Sequence, residues 1–333
     1  MFVNNMFSNP ILLITFNRPD YVRKVLTEIL KQEPQELYIC QDGAREDNDM
    51  DRIKCQEVRD VVNELTSAYA IDHKDFTLYT LYQKENLGCG PGPAAGITWF
   101  FEHVDMGIIL EDDAVPHPDF FEYASILLEK YKYDESVRAI GSMNVDTQKW
   151  GDGSYYFSMM NRNLCAWATW RRAWQAFDLR LMNISNCHMQ RVLRKYGCSA
   201  VEREYWCDRL AEIQKDGCGG ASWDMQFFMS IWLSGGKGII PNVNISSNIG
   251  TVGEATHQMA AGNIIDNIPT HPILPLIHPS TTAIQSEADR QFHYRYFEPG
   301  KDKWSWWLIC YNILNRRVKK CLGIKGPIRN RKS

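Results

Sequence analysis

The chain has 333 residues, 44% of them hydrophobic and 23% charged, with a formal net charge of −3. That is the balance of an ordinary globular protein, long enough to bury a large core as one domain or two packed halves. Lys and Arg gather from Arg316 to Ser333, a stretch with no acid, so the body is acidic, which argues against general nucleic-acid binding.

The ten cysteines form no Cys-x-x-Cys pair and no Cys/His spacing for zinc. Met1 to Pro10 lacks the basic start and apolar core of a secretion signal, and no run of about eighteen apolar residues is long enough to span a bilayer. Reduced thiols and a cytoplasmic location are therefore expected.

Ile11 to Phe16 reads as a first strand, followed by Asn17-Arg18-Pro19-Asp20 as a helix start. Tyr21, Val22, Val25, Leu26, Ile29 and Leu30 then recur at helical spacing. Leu37 to Cys40 is a second strand ending in Gln41-Asp42-Gly43, Ala44 to Asp51 a polar loop, and Val58 to Leu65 a helix. Phe76 to Tyr82 alternates as a third strand before Asn86-Leu-Gly88-Cys-Gly90-Pro-Gly92-Pro, and Ala94 to Phe101 is a third helix.

The fourth strand carries the strongest signal. Ile108 to Leu110 is apolar enough to be buried on both faces, then breaks into Glu111-Asp112-Asp113, which no buried strand carries without a partner. Pro116, Pro118 and Asp119 open the next helix, with Phe120, Phe121 and Tyr123 on its apolar side. The order β-α-β-α-β-α-β predicts a mostly parallel sheet flanked by helices, with Asn17, Asp42, Asn86 and the three acids at strand carboxyl ends, where open α/β sheets bind ligands. Three adjacent acids repel one another, and a divalent cation is the usual way to make such a cluster favourable; oxygen donors alone point to Mg²⁺ or Mn²⁺. The plainer alternative is a solvated acidic turn at a helix start.

In the second half, Val137 to Val145 and Tyr155 to Met160 read as strands. Ala166 to Trp174 reads as the entry to a tryptophan-rich helix, and Tyr205 to Ile213 and Ser222 to Trp232 as further helices. Gly238 to Ser246 is a late strand leading to a mobile loop from Asn248 to His257. Four prolines between Pro269 and Pro279 predict a surface wrap. Trp304 to Leu314 and the basic tail suit either a helix lying on a membrane surface, through residues 304–333, or a packed terminal helix with a solvated tail.

Thr15-Phe-Asn-Arg18-Pro, Gln41-Asp42-Gly, Leu110-Glu111-Asp112-Asp113 with Pro118-Asp-Phe-Phe-Glu-Tyr123, and Trp223-Asp224 occur in an order that resembles the GT-A fold glycosyltransferases, within them the N-acetylglucosaminyltransferase I type and bacterial family 2-like sugar transferases. The likeness runs from about Ile11 to His257. It implies a GT-A domain with a nucleotide-sugar half (1–130), an acceptor and catalytic half (131–265) and a C-terminal wrap and basic tail (266–333). It also implies inverting transfer of a sugar from a nucleotide diphosphate donor, a UDP-sugar, to a glycan or lipid-linked saccharide acceptor at the inner membrane face.

By the same resemblance Asp113 ligates Mn²⁺ or Mg²⁺, Asp112 lies near the ribose, Glu111 near the donor sugar and Asp42 near the uracil. Arg18 and Asn86 join the donor site, and Asp224 matches the region of the catalytic base. The pattern carries two acids after the tryptophan where this chain has Asp224-Met225, so Glu202, Glu204 and Asp208 remain competing bases. His257 is a second metal or pyrophosphate ligand or a structural histidine. Trp167 and Trp170 stack on acceptor sugar rings or fill the core.

Two other readings compete. Gly90-Pro-Gly92-Pro-Ala-Ala95 matches a dinucleotide fingerprint, although its prolines remove backbone donors that this motif needs. A catalytically inactive, glycan-binding scaffold of the same fold is the other.

Overall fold

A computed structural model describes residues 9–146, 148–160, 166–216, 223–250, 267–299 and 301, together with Tyr311, Leu314 and Val318. In the first half β1 (Ile11–Thr15), α1 (Pro19–Leu30), β2 (Glu36–Gln41), α2 (Asp49–Asp72), β3 (Thr77–Tyr82), α3 (Pro91–His103) and β4 (Met106–Glu111) alternate as expected. All five residues of β1 are buried. Helix α1 starts on a proline with Asp20 in its first turn and packs Val22, Val25, Leu26 and Ile29 inward.

Helix α2 begins earlier than expected, inside the polar stretch. Residues 44–48 are loop as expected, and Asn48 caps the helix by accepting from the Asp51 amide, so only the end of the polar stretch, from Asp49, is helix.

The second half contains β5 (Ala114–Pro116), α4 (Asp119–Lys130), β6 (Val137–Gly141), β7 (Tyr155–Ser158), β8 (Ala166–Trp170), α5 (Arg171–Trp174), α6 (Asn186–Lys195), α7 (Ala200–Asp216), α8 (Asp224–Leu233), β9 (Lys237–Pro241), β10 (Ser246–Asn248) and α9 (Ser286–Tyr296). Ala166 to Trp170 is a strand, not the start of a helix. It is buried throughout and runs antiparallel between β4 and β6. Its tryptophans, three positions apart, imitate helical spacing but point to opposite faces of the sheet.

The main sheet has the order β3-β2-β1-β4-β8-β6-β9-β7. The first four strands are parallel, whereas β8 and β7 run antiparallel to their neighbours, so the sheet is mixed. One face packs against α1, α2 and α4 through residues such as Val22, Val58 and Leu127. The other packs against α3, α7 and α8 through Phe100, Trp206 and Phe227.

The proline-rich segment lies largely on the surface, as expected. Asp119 holds it there by accepting from the amides of Ile273 and Leu274 at 2.8 and 3.2 Å.

Among the described residues no helix is long and apolar enough to cross a membrane. The aromatic segment from Trp304 and the basic tail lie outside the described residues except for Tyr311, Leu314 and Val318.

Candidate functional site

The chain leaves β1 for β2 and β3 on one side, then crosses back to place β4 on the other side of β1. Strands β1 and β4 are paired up to Ile14 and Glu111, and the strand order reverses between them, the switch point where a crevice opens in α/β sheets. Two of the predicted groups meet there, Arg18 beyond β1 and Glu111-Asp112-Asp113 at the end of β4.

The Arg18 guanidinium forks across two carboxylates. Nη1 donates to Asp113 Oδ2 at 3.0 Å, Nε reaches Asp112 Oδ2 at 3.4 Å, and Nη2 donates to Asp112 Oδ1. Asp112 and Asp113 are 2% and 8% exposed, so the pairing is shielded from solvent. Burial works against the Arg18 charge, but Asp112 and Asp113 outweigh it and hold the guanidinium above its ordinary pKa.

Burial pushes the Asp112 carboxyl up to about 6 against the pull of Arg18. Glu111 is raised by burial and then by the negative charges of Asp113, Asp112 and Asp224. The acid turn therefore carries a counter-charge from within the chain, a partner that sequence reasoning had sought only in a metal ion.

A second clamp closes on Asp113 from β10. The short β5–β10 ladder pairs Asn248 with Ala114. Asn248 Nδ2 approaches Asp113 Oδ1 at 3.4 Å, the Ile249 amide donates to the Asp113 carbonyl at 2.9 Å, and the Gly250 amide donates to Asn248 Oδ1 at 2.8 Å. A Cβ at Gly250 would stand 2.1 Å from Asp113 Oδ2, so this position accepts nothing larger than glycine without moving the acid. Asn248 and Gly250 were not among the predicted site residues; their signal was a late Asn-x-Gly directly after a strand. Residues 251–266, including His257 and the expected lid from Thr251, lie outside the described residues.

At the end of β2, Asp42 organises the neighbouring loop. One carboxylate oxygen accepts from the Gly43 and Leu87 amides at 2.9 and 2.8 Å. The other accepts from the Gly88 amide at 3.0 Å and Asn86 Nδ2 at 3.1 Å. Gly88 turns the chain with φ +86°, a conformation suited to glycine. Burial pushes the Asp42 carboxyl up, and the three amides pull against it.

Gly92 packs on this carboxylate, where a Cβ would lie 3.0 Å from Oδ2. The glycine fingerprint at the start of α3 therefore faces a negative charge, an environment opposed to a pyrophosphate.

Asp51 braces the other side of the β1 exit by accepting from Asn17 Nδ2 at 2.8 Å and Arg45 Nη2 at 2.9 Å. Hydrogen bonds from Arg45 hold its carboxyl below the usual range.

Asp224 opens α8, and its charge acts on Glu111. Trp223, just before it, packs against Trp167 with ring centroids 5.6 Å apart and planes at 30°. Trp167 is fully buried and Trp170 nearly so. Trp170 lies on the α4 side, donating from Nε1 to the Leu128 carbonyl at 3.1 Å. The structure thus brings Arg18, Asp112 and Asp113 together beside Glu111, with Asp224 near enough for its charge to raise Glu111, and sets Asp42 with Asn86 one strand away.

Of the competing acids, Glu202 is engaged in a capping box. It accepts from the Ser199 amide at 2.6 Å while Ser199 Oγ accepts from the Glu202 amide at 3.2 Å.

Among the described residues no three His, Cys, Asp or Glu side chains converge to hold a metal by themselves. Mg²⁺ and Mn²⁺ bound beside phosphates need less: one or two carboxylates, with water and phosphate completing the shell. Asp113 and Glu111, hard oxygen donors at the crevice, fit that smaller demand.

No protein-family model and no curated protein sequence matches the chain. Solved structures with a partial likeness include the mannosyltransferase PcManGT from Pyrobaculum calidifontis, determined with GDP-Man and Mn²⁺, at 15% identity over 48% of this chain and 44% of that one, with a TM-score of 0.33. S. aureus TarS matches at 11% identity over 49% and 46%, with a TM-score of 0.32. Mouse xyloside xylosyltransferase 1 matches at 11% identity over 67% and 81%, with a TM-score of 0.30. The chain spans less than half the length of the first two proteins it matches.

Proposed function

We propose that this chain is a GT-A type glycosyltransferase that moves a sugar, with inversion, from a nucleotide diphosphate donor to an acceptor hydroxyl with the help of Mn²⁺ or Mg²⁺. The observation that carries the proposal is the acid turn at the end of β4, meeting Arg18 at the switch point of the sheet with Asp224 close enough for its charge to act on Glu111.

In the reaction the acceptor oxygen bonds to the anomeric carbon from one face while the bond from that carbon to the diphosphate oxygen breaks on the other. Asp224 takes the proton of the attacking hydroxyl. Its place at the start of α8, on the side of the acid turn, supports this role, as does the engagement of Glu202 in a helix cap. Arg18 offers its fork to the departing diphosphate, whose charge grows as the bond breaks. Asp113, with Glu111 beside it, would hold the cation, which when bound neutralises the leaving group more in the transition state than in the ground state. Asp42 and Asn86 shape the crevice wall on the nucleobase side.

The donor we favour is a UDP-sugar and the acceptor a glycan or lipid-linked saccharide, with the tail at 304–333 able to hold the enzyme at a membrane surface. The test is UDP release from a panel of UDP-sugars with Mn²⁺, with and without EDTA. Release of UDP from one donor, abolished by EDTA, supports the proposal. Failure of every nucleotide sugar to bind favours a glycan-binding scaffold.

A further inference from the structure

Arg18 stands where two positive charges are wanted. Its Nη1 lies on Asp113 Oδ2, and a divalent cation on that carboxylate would meet the guanidinium at close range, a like-charge contact that weakens both. The side chain is also partly open to solvent. It is 25% exposed and extends from the residue just before α1, and the Tyr21 ring, 5.2 Å from its Cζ, flanks it where it stands on the acids.

We propose that Arg18 is the resident counter-ion of the acid turn in the donor-free protein and hands the carboxylates over to the cation as the donor binds, turning its fork to the diphosphate. This rests on the nucleotide-sugar reading above. The charges make the exchange directional. With Arg18 on the acids, a cation arriving alone must displace it and leave the guanidinium without a partner in a shielded site. A diphosphate arriving with the cation supplies that partner, because it brings the negative charge Arg18 needs. Cation and nucleotide therefore bind cooperatively, and Arg18 is the positioning residue that couples them.

The test is titration of Mn²⁺ alone into the full chain, followed by electron paramagnetic resonance of free Mn²⁺, for the native protein, Arg18→Ala and Arg18→Lys, repeated with UDP present. Arg18→Ala should bind Mn²⁺ alone at least about tenfold more tightly, since a competing charge at contact distance is gone. UDP should then improve Mn²⁺ binding far less than it does in the native protein. Arg18→Lys, which keeps the charge without the fork, should fall between them.

A merely structural Arg18 would give the opposite result, because loosening the turn weakens the metal site. Mn²⁺ binding by folded Arg18→Ala that is unchanged or weaker overturns the proposal. If that variant does not fold, a lysine variant with no gain in Mn²⁺ affinity overturns it equally. Should UDP fail to bind the native protein at any Mn²⁺ concentration, the UDP-sugar reading falls instead, and the Mn²⁺-only comparison still decides whether Arg18 competes for the acids.

Discussion

Replacing Asp42 separates a wall-building role from a simple contact with the nucleobase. Both of its oxygens face N–H donors, two on each. Alanine removes all four acceptor contacts and leaves the Gly43, Leu87 and Gly88 amides to water. At roughly 1 kcal/mol for each net hydrogen bond, discounted because Leu87 is exposed, the loss is about 2–3 kcal/mol. Asparagine does not rescue it, since an amide NH₂ in either orientation points at two donors.

Unfolding in urea without nucleotide should therefore place Asp42→Ala and Asp42→Asn close together, both well below the native protein. A drop in melting temperature of about 3–4 °C corresponds to that loss in a chain of this size. If both variants unfold within about 0.5 kcal/mol of the native protein, the reasoning that Asp42 holds the 86–88 loop is refuted.

Asp51 gives a pH signature. Its carboxyl is held below the ordinary carboxylate range by Arg45, so its contribution to stability is fully present above the unfolded-state pKa, about 3.9, and is lost as pH falls through the folded value. Denaturation of the native protein and Asp51→Asn should differ most near neutral pH and converge in acid; a constant gap would contradict the assignment. Gly250→Ala should disturb Asp113 while leaving the core intact, seen as weaker Mn²⁺-dependent UDP binding with a nearly unchanged melting temperature. Asp224→Asn should lower kcat for sugar transfer by about 10²-fold or more while donor affinity stays within a few-fold; an unchanged kcat would move the base elsewhere.

Much of this arrangement was legible in the sequence because the signals were local. The change from Ile108-Ile-Leu110 to three acids fixed a strand end, and Pro19 and Asp20 fixed a helix start. The alternation from β1 to β4 then placed Arg18 and the acid turn at one crevice. Their direct pairing was not legible, since it joins residues more than ninety positions apart, and no local pattern announces it. The β5–β10 ladder escaped for a related reason: three residues on each side are too few to show a period, so Asn248, the last residue of β10, read as the start of a loop. Trp167 and Trp170 show the opposite failure, in which a spacing common to helices arises in a strand buried on both faces. Asp42 was found by its position at a strand end, but three of its four donors come from a loop contributed after β3.

The central claim is that the acid turn binds a nucleotide diphosphate through a cation held by Asp113. Calorimetric titration of UDP into the native protein and Asp113→Asn, each with Mn²⁺ and with EDTA, tests it most directly. The account predicts binding by the native protein that is lost or greatly weakened by EDTA, and weak binding by Asp113→Asn that Mn²⁺ does not improve. Equal, metal-insensitive binding by both proteins would contradict it.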